Sequence, residues 1–176
     1  MLGEITELRR RVRRSLGTPW FPLVCFGLLT MLSAPLVAIM GTAVLVPFWL
    51  IAATSGMLLT RRYYRGRARL RGVGGRGRRA GVLAASMCAA AFTAGILAGA
   101  TGGQAAGVLA PVTVILVGYA GLGWLLRTPA PALAVAPAAA LAGALVLAKA
   151  APWTVELTFG AALVAAGASL RARDVA

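Results

Sequence analysis

The sequence predicts an all-α fold: a polytopic membrane helix bundle of about six transmembrane helices, with a short amphipathic helix at the N-terminus. Three observations predict it. The chain has 176 residues, 60% of them apolar, and a mean hydropathy of +0.84, well outside the range of a soluble domain. The apolar residues fall into continuous runs of helix length rather than the alternating pattern of a barrel. Between Arg61 and Arg79 there are nine arginines and no acidic residue, with an apolar run on either side. Such a loop stays on the cytoplasmic side and orients the chain.

Residues 1–18 read as a cytoplasmic basic helix lying on the membrane. Leu2, Ile5, Leu8, Val12 and Leu16 recur at three- and four-residue steps and so share one helix face. Glu4 and Glu7 precede Arg9–Arg14, the order that the helix dipole favours.

The six spans lie near residues 20–40, 43–60, 81–100, 105–126, 130–149 and 153–170, followed by a cytoplasmic tail, 171–176. Each is roughly 27–33 Å long at the rise of an α-helix, matching the hydrocarbon core. The first is too long for the apolar core of a signal peptide and reads as a retained span. Gly41-Thr42, Thr101-Gly102-Gly103-Gln104, Arg127-Thr128-Pro129 and Ala151-Pro152 separate the runs. Gly41-Thr42 is a tight connection, and Ser33-Ala34-Pro35 offers an alternative break that would make residues 20–60 a re-entrant hairpin.

With six spans both termini share the cytoplasmic side of a cell membrane. Every arginine then falls inside, and Lys149 alone is left outside. Trp20, Tyr63, Tyr64 and Trp124 fall at the inner interface and Trp153 at the outer one, where amphipathic rings prefer to sit. Arg61, Arg62, Arg65, Arg67, Arg69, Arg71, Arg76, Arg78 and Arg79 are expected to contact anionic lipid headgroups or a partner, at about 1 kcal/mol per residue near the surface.

The net charge of +14 would suggest nucleic acid in a soluble protein; beside apolar spans, lipid is the simpler partner. Gly72-Val73-Gly74-Gly75-Arg76-Gly77 matches the dinucleotide fingerprint, but an arginine run precedes it where the motif needs a strand. The chain has no histidine and four acidic residues, Glu4, Glu7, Glu156 and Asp174. With no acid expected at mid-depth, no catalytic residue, metal site or cofactor is expected, and an enzyme is disfavoured. Cys25 and Cys88 have no CxxC spacing and read as space-filling thiols.

Lys149 and Glu156 flank the Ala150-Ala151-Pro152 turn as a candidate outer-face pair, with snorkelling to the headgroups the favoured expectation. Gly118, Tyr119, Gly121 and Gly123 mark a candidate pocket. Small residues at four-residue spacing form ridges that let helices approach closely: Ala132, Ala136, Ala140, Ala144 and Ala148; Gly95 and Gly99; Ala52 and Gly56. Packing inside one subunit is the expectation for all three. Pro19-Trp20 with Phe26-Gly27, and Pro152-Trp153 with Phe159-Gly160, repeat one pattern, which interfacial anchoring accounts for.

Pro19-Trp20-Phe21-Pro22-Leu23, the run Leu28–Pro35 and Tyr63-Tyr64-Arg65 resemble small uncharacterised multi-pass integral membrane proteins of high-G+C bacteria. The resemblance covers roughly the first seventy residues and implies no activity. The residues leave two expectations: a non-catalytic component or regulator of a membrane complex, or a small oligomeric permease or exporter subunit for uncharged or hydrophobic cargo.

Overall fold

A computed structural model of the chain describes residues 20–70, 77–126 and 129–175, with the backbone alone for residues 67–70, 77–85, 88, 104–105, 125–126 and 173–175. The N-terminal amphipathic helix expected over residues 1–18 lies outside the described residues. The elements are α1 (Trp20–Met40), a 3-10 turn (Thr42–Val44), α2 (Leu45–Leu70), α3 (Gly77–Leu126), α4 (Ala130–Leu147) and α5 (Pro152–Val175). Five stretches are long and apolar enough to cross a membrane: Trp20–Met40, Thr42–Gly66, Ala106–Trp124, Ala130–Leu147 and Pro152–Ala172. Ala89–Gly103 is a shorter apolar helix. The fold is an all-α membrane helix bundle.

α1 and α2 form a full-length antiparallel hairpin. α1 ends where the Gly41 amide donates to the Val37 carbonyl at 2.9 Å, with Gly41 at φ 78. A residue with a Cβ is strained in that conformation, so glycine sets the end of the helix. At the far end of the hairpin the Phe21 ring stacks on Tyr63, with centroids 4.1 Å apart and planes 5° from parallel. Midway, Gly56 faces Phe26 and Leu29. α1 is one continuous helix through Ser33-Ala34-Pro35, so the chain does not break there. α1 runs through Pro35, whose ring sits on the exposed side; one lost backbone hydrogen bond is tolerated in membrane helices packed by neighbours.

α3 is 50 residues long, but its path reverses at Gly103, where φ is 76 and ψ −174. That region of backbone space is essentially restricted to glycine. Gly95 faces Gly107 and Pro111, Gly99 faces Gly107, and Gly118 faces Met87. Each pair is centred near residue 103, as two antiparallel arms require. A Cβ on Gly107 would come within 3.0 Å of the Gly99 Cα. The Gly95/Gly99 ridge is therefore the seam of the hairpin. The four-residue separator expected here contracts to a single break. Among the described residues the second arm contains a stretch long enough to cross a membrane, Ala106–Trp124, and the first only the shorter apolar helix Ala89–Gly103, so five such stretches stand where six were expected.

α4 ends in a Schellman turn: the Ala150 amide reaches the Leu145 carbonyl at 2.9 Å and the Lys149 amide the Val146 carbonyl at 3.0 Å. Lys149 holds the left-handed position, at φ 54, where glycine is the usual occupant. α5 then starts at Pro152, whose missing amide hydrogen costs nothing at a helix start.

α5 is the centre of the bundle. It packs most extensively on α1 and also against α4, while α4 contacts α3; α2 packs on α1 and more lightly on α3. Leu23, Val135, Phe159, Leu163 and Leu170 lie in the shared core. The outward surface is apolar, with Ile39 83% and Leu147 82% exposed, the inversion expected where lipid is the solvent. The ridge on α4 departs from expectation. Ala140, Ala144 and Ala148 are exposed, and α4 instead buries Pro131, Val135, Ala138 and Ala142. Valine at 135 and the ring at 131 bury more apolar surface than the alanines offer, which decides the face turned inward.

Candidate functional site

A close crossing of two helices carries a half-buried carboxyl on its seam. α1 and α5 cross with their backbones touching: a Cβ on Gly27 would lie 2.8 Å from the Gly160 carbonyl oxygen, and one on Gly167 would lie 2.9 Å from that of Trp20. Gly27 meets Val164 as Gly160 meets Met31. The two Pro-Trp…Phe-Gly segments are thus related by a local two-fold at their glycines. Anchoring accounts for the tryptophans; the glycines are there for close approach.

Helical phase carries Glu156 to this seam. Glu156, Phe159, Gly160, Leu163 and Gly167 recur at three- and four-residue steps, so they share the face that α5 turns to α1. The Ser33 Oγ lies 3.0 Å from Glu156 Oε2 and 2.7 Å from the Thr30 carbonyl oxygen. Ser33 is fully buried, at 0% exposure. The Thr30 hydroxyl is committed elsewhere, donating to the Phe26 carbonyl at 2.8 Å. Glu156 therefore meets Ser33 and not Lys149: no ion pair joins the two, and Lys149 is exposed in the preceding turn. The sequence carried a signal for this, the stripe of Glu156 with Gly160, which an outer-end reading of Glu156 overlooks.

A second cluster gathers at the opposite end of α1. Trp20 packs edge-on to Phe21 and to Tyr63, both at 5.7 Å, and Tyr63 meets Tyr64 at 5.3 Å. Arg171 of α5 lies over the Trp20 ring, 4.9 Å from its centroid. The cluster joins the start of α1 to the ends of α2 and α5. Arg61, Arg62 and Arg65 are exposed beside it. The arginine-rich segment is largely helical, because α2 continues to Leu70 and α3 begins at Gly77. Arg71 and Arg76, and the side chains of Arg67, Arg69, Arg78 and Arg79, lie outside the described residues.

The four residues of the candidate pocket part ways. The space beside Gly118 is taken by the Met87 thioether. Tyr119 and Gly123 are buried, while Gly121 is exposed and a Cβ there would meet nothing within 4 Å. Cys25 is a half-buried free thiol; the Cys88 side chain lies outside the described residues. Among the described residues, no three His, Cys, Asp or Glu side chains come together.

The apolar helices and the outward apolar surface define a helical integral membrane protein. No family model, curated protein or solved structure matches the chain.

Proposed function

We propose that the protein is a non-catalytic component or regulator of a membrane complex, seated in the cell membrane with both termini cytoplasmic. The observation that carries this reading is how the interior is filled. Met87 occupies the space at Gly118, and Gly27, Gly160 and Gly167 bring helix backbones into contact. Small residues used this way close helices on one another and leave little space for cargo. The four-residue spacing left facing outward, Ala140, Ala144 and Ala148 on α4, is where the reading places a transmembrane helix of the partner. Arg61, Arg62 and Arg65, beside Trp20, Tyr63 and Tyr64, support contact with anionic headgroups at the inner interface.

Purification in a mild detergent should retain a membrane partner that Ala144→Leu releases, and proteoliposomes of the protein alone should move no solute. A reporter that works only outside the cytoplasm, fused after Ala176, should be inactive; activity there overturns the topology. The second reading, a small oligomeric permease or exporter subunit, is favoured by the Glu156–Ser33 contact inside the bundle. Solute flux through the purified protein would select it.

A further inference from the structure

We propose that Glu156, Ser33 and the Thr30 carbonyl form a proton-binding site between α1 and α5, in which the carboxyl carries a proton and donates it to Ser33. The argument is a count of hydrogens. Ser33 Oγ stands within hydrogen-bond reach of two oxygens, the Thr30 carbonyl at 2.7 Å and Glu156 Oε2 at 3.0 Å. A serine hydroxyl has one hydrogen, and a carbonyl and an ionised carboxylate only accept. The cluster is one hydrogen short. A proton on Glu156 completes it: the carboxyl donates to Ser33 Oγ, and the Ser33 hydroxyl donates to Thr30.

Among the described residues, the neighbouring donors are engaged elsewhere. The Thr30 hydroxyl serves the Phe26 carbonyl and the Thr158 hydroxyl the Thr154 carbonyl. The Thr154 and Val155 amides, in the first turn of α5, both serve the Ala151 carbonyl. Nor, among the described residues, is there a facing cation. The elements that pack extensively on α5 are α1 and α4, and neither contains a charged residue; the other titratable group on them is Cys25, two turns from Ser33. Lys149 is exposed in the turn before α5 and forms no ion pair with the carboxyl. On α5 itself, Arg171 sits at the opposite end over Trp20.

Depth adds the cost of an unmatched charge. Ser33 stands seven residues before the end of α1, about 10 Å inward at helical rise. Glu156 stands four residues into α5, about 6 Å inward. A carboxylate without a cation is expensive there. Losing the proton leaves the carboxylate with Ser33 as its donor, and the Ser33 hydrogen turns from Thr30 to Glu156. Both groups sit on the seam where α1 and α5 touch, so binding and release of a proton act on the packing of these two helices.

The test is infrared spectroscopy of the full chain in lipid nanodiscs. At neutral pH the wild type should show the C=O stretch of a protonated carboxyl, lost in Glu156→Gln and shifted to higher frequency in Ser33→Ala. A spectrum with ionised carboxylate bands alone overturns the proposal. So does a protonated band that appears only when sodium is exchanged for a large organic cation, which would mark an alkali-ion site. The chain has three glutamates, Glu4, Glu7 and Glu156. Should Glu156→Gln not fold, the Glu4→Gln/Glu7→Gln protein with labelled glutamate reports Glu156 alone, by the same criteria.

Discussion

Gly27 and Gly160 bring α1 and α5 into backbone contact, a Cβ on Gly160 falling 2.6 Å from the Gly27 carbonyl oxygen. Residues distant in sequence thus hold α1 and α5 together, and a half-buried carboxyl lies on their seam. In Gly160→Ala the new methyl meets the Gly27 carbonyl oxygen and the Met31 backbone nitrogen as well as the Met31 side chain, so moving that side chain alone does not make room. The expected loss is about 1–3 kcal/mol, the cost of overpacking, read by unfolding in mixed detergent. Gly143→Ala, with nothing within 4 Å, should leave the midpoint unchanged.

The reversal at Gly103 predicts a proximity that a straight helix forbids. Met87 and Gly118 are in contact, whereas along one continuous helix they would be about 46 Å apart at 1.5 Å per residue. Met87→Cys/Gly118→Cys should therefore crosslink through a short bifunctional reagent. Absence of the crosslink in folded protein would exclude the hairpin. Gly103→Ala should cost about 1–3 kcal/mol through its backbone conformation alone.

Lys149 occupies a left-handed position, at φ 54, that glycine adopts without steric cost. Lys149→Gly should raise stability by about 1 kcal/mol at most. It should leave the Glu156 infrared signature in place, because Ser33 and not Lys149 is the partner of the carboxyl. A protonated-carboxyl band absent from the wild type and appearing only in Lys149→Gly would restore the Lys149–Glu156 pair.

At the other end of the bundle, Arg171 lies on Trp20 from a different helix. A double-mutant cycle of Arg171→Leu and Trp20→Leu should return a coupling of about 0.5–1 kcal/mol, the value of an exposed cation–π contact. Zero coupling would place Arg171 in the headgroup region alone.

Much of the fold was legible because lipid imposes a strong pattern. A span must be apolar, about 20 residues long and internally hydrogen-bonded, so runs such as Trp20–Met40 and Ala130–Leu147 announce themselves. Gly41, Gly103 and Pro152 were legible as punctuation, because the backbone at a helix end admits few residues. The ridges at Gly95/Gly99 and Ala52/Gly56 were legible as contact surfaces, but the one on α4 was misassigned. Four-residue spacing marks a helix face without saying whether that face meets a neighbour or lipid.

The chain by itself determined that the fold is built of apolar helices and that glycine and proline break them, since these follow from local backbone chemistry and the bilayer's demand for apolar surface. It did not show that α2 carries on to Leu70 through the arginines. Tertiary structure alone decided that α1 seats on α5, that the alanine face of α4 looks outward, and that Glu156 turns to Ser33. Lipid is equally apolar on every side of a helix, so hydrophobicity does not choose a partner. Shape chooses it, and in this protein the choice is made where Gly27 meets Gly160.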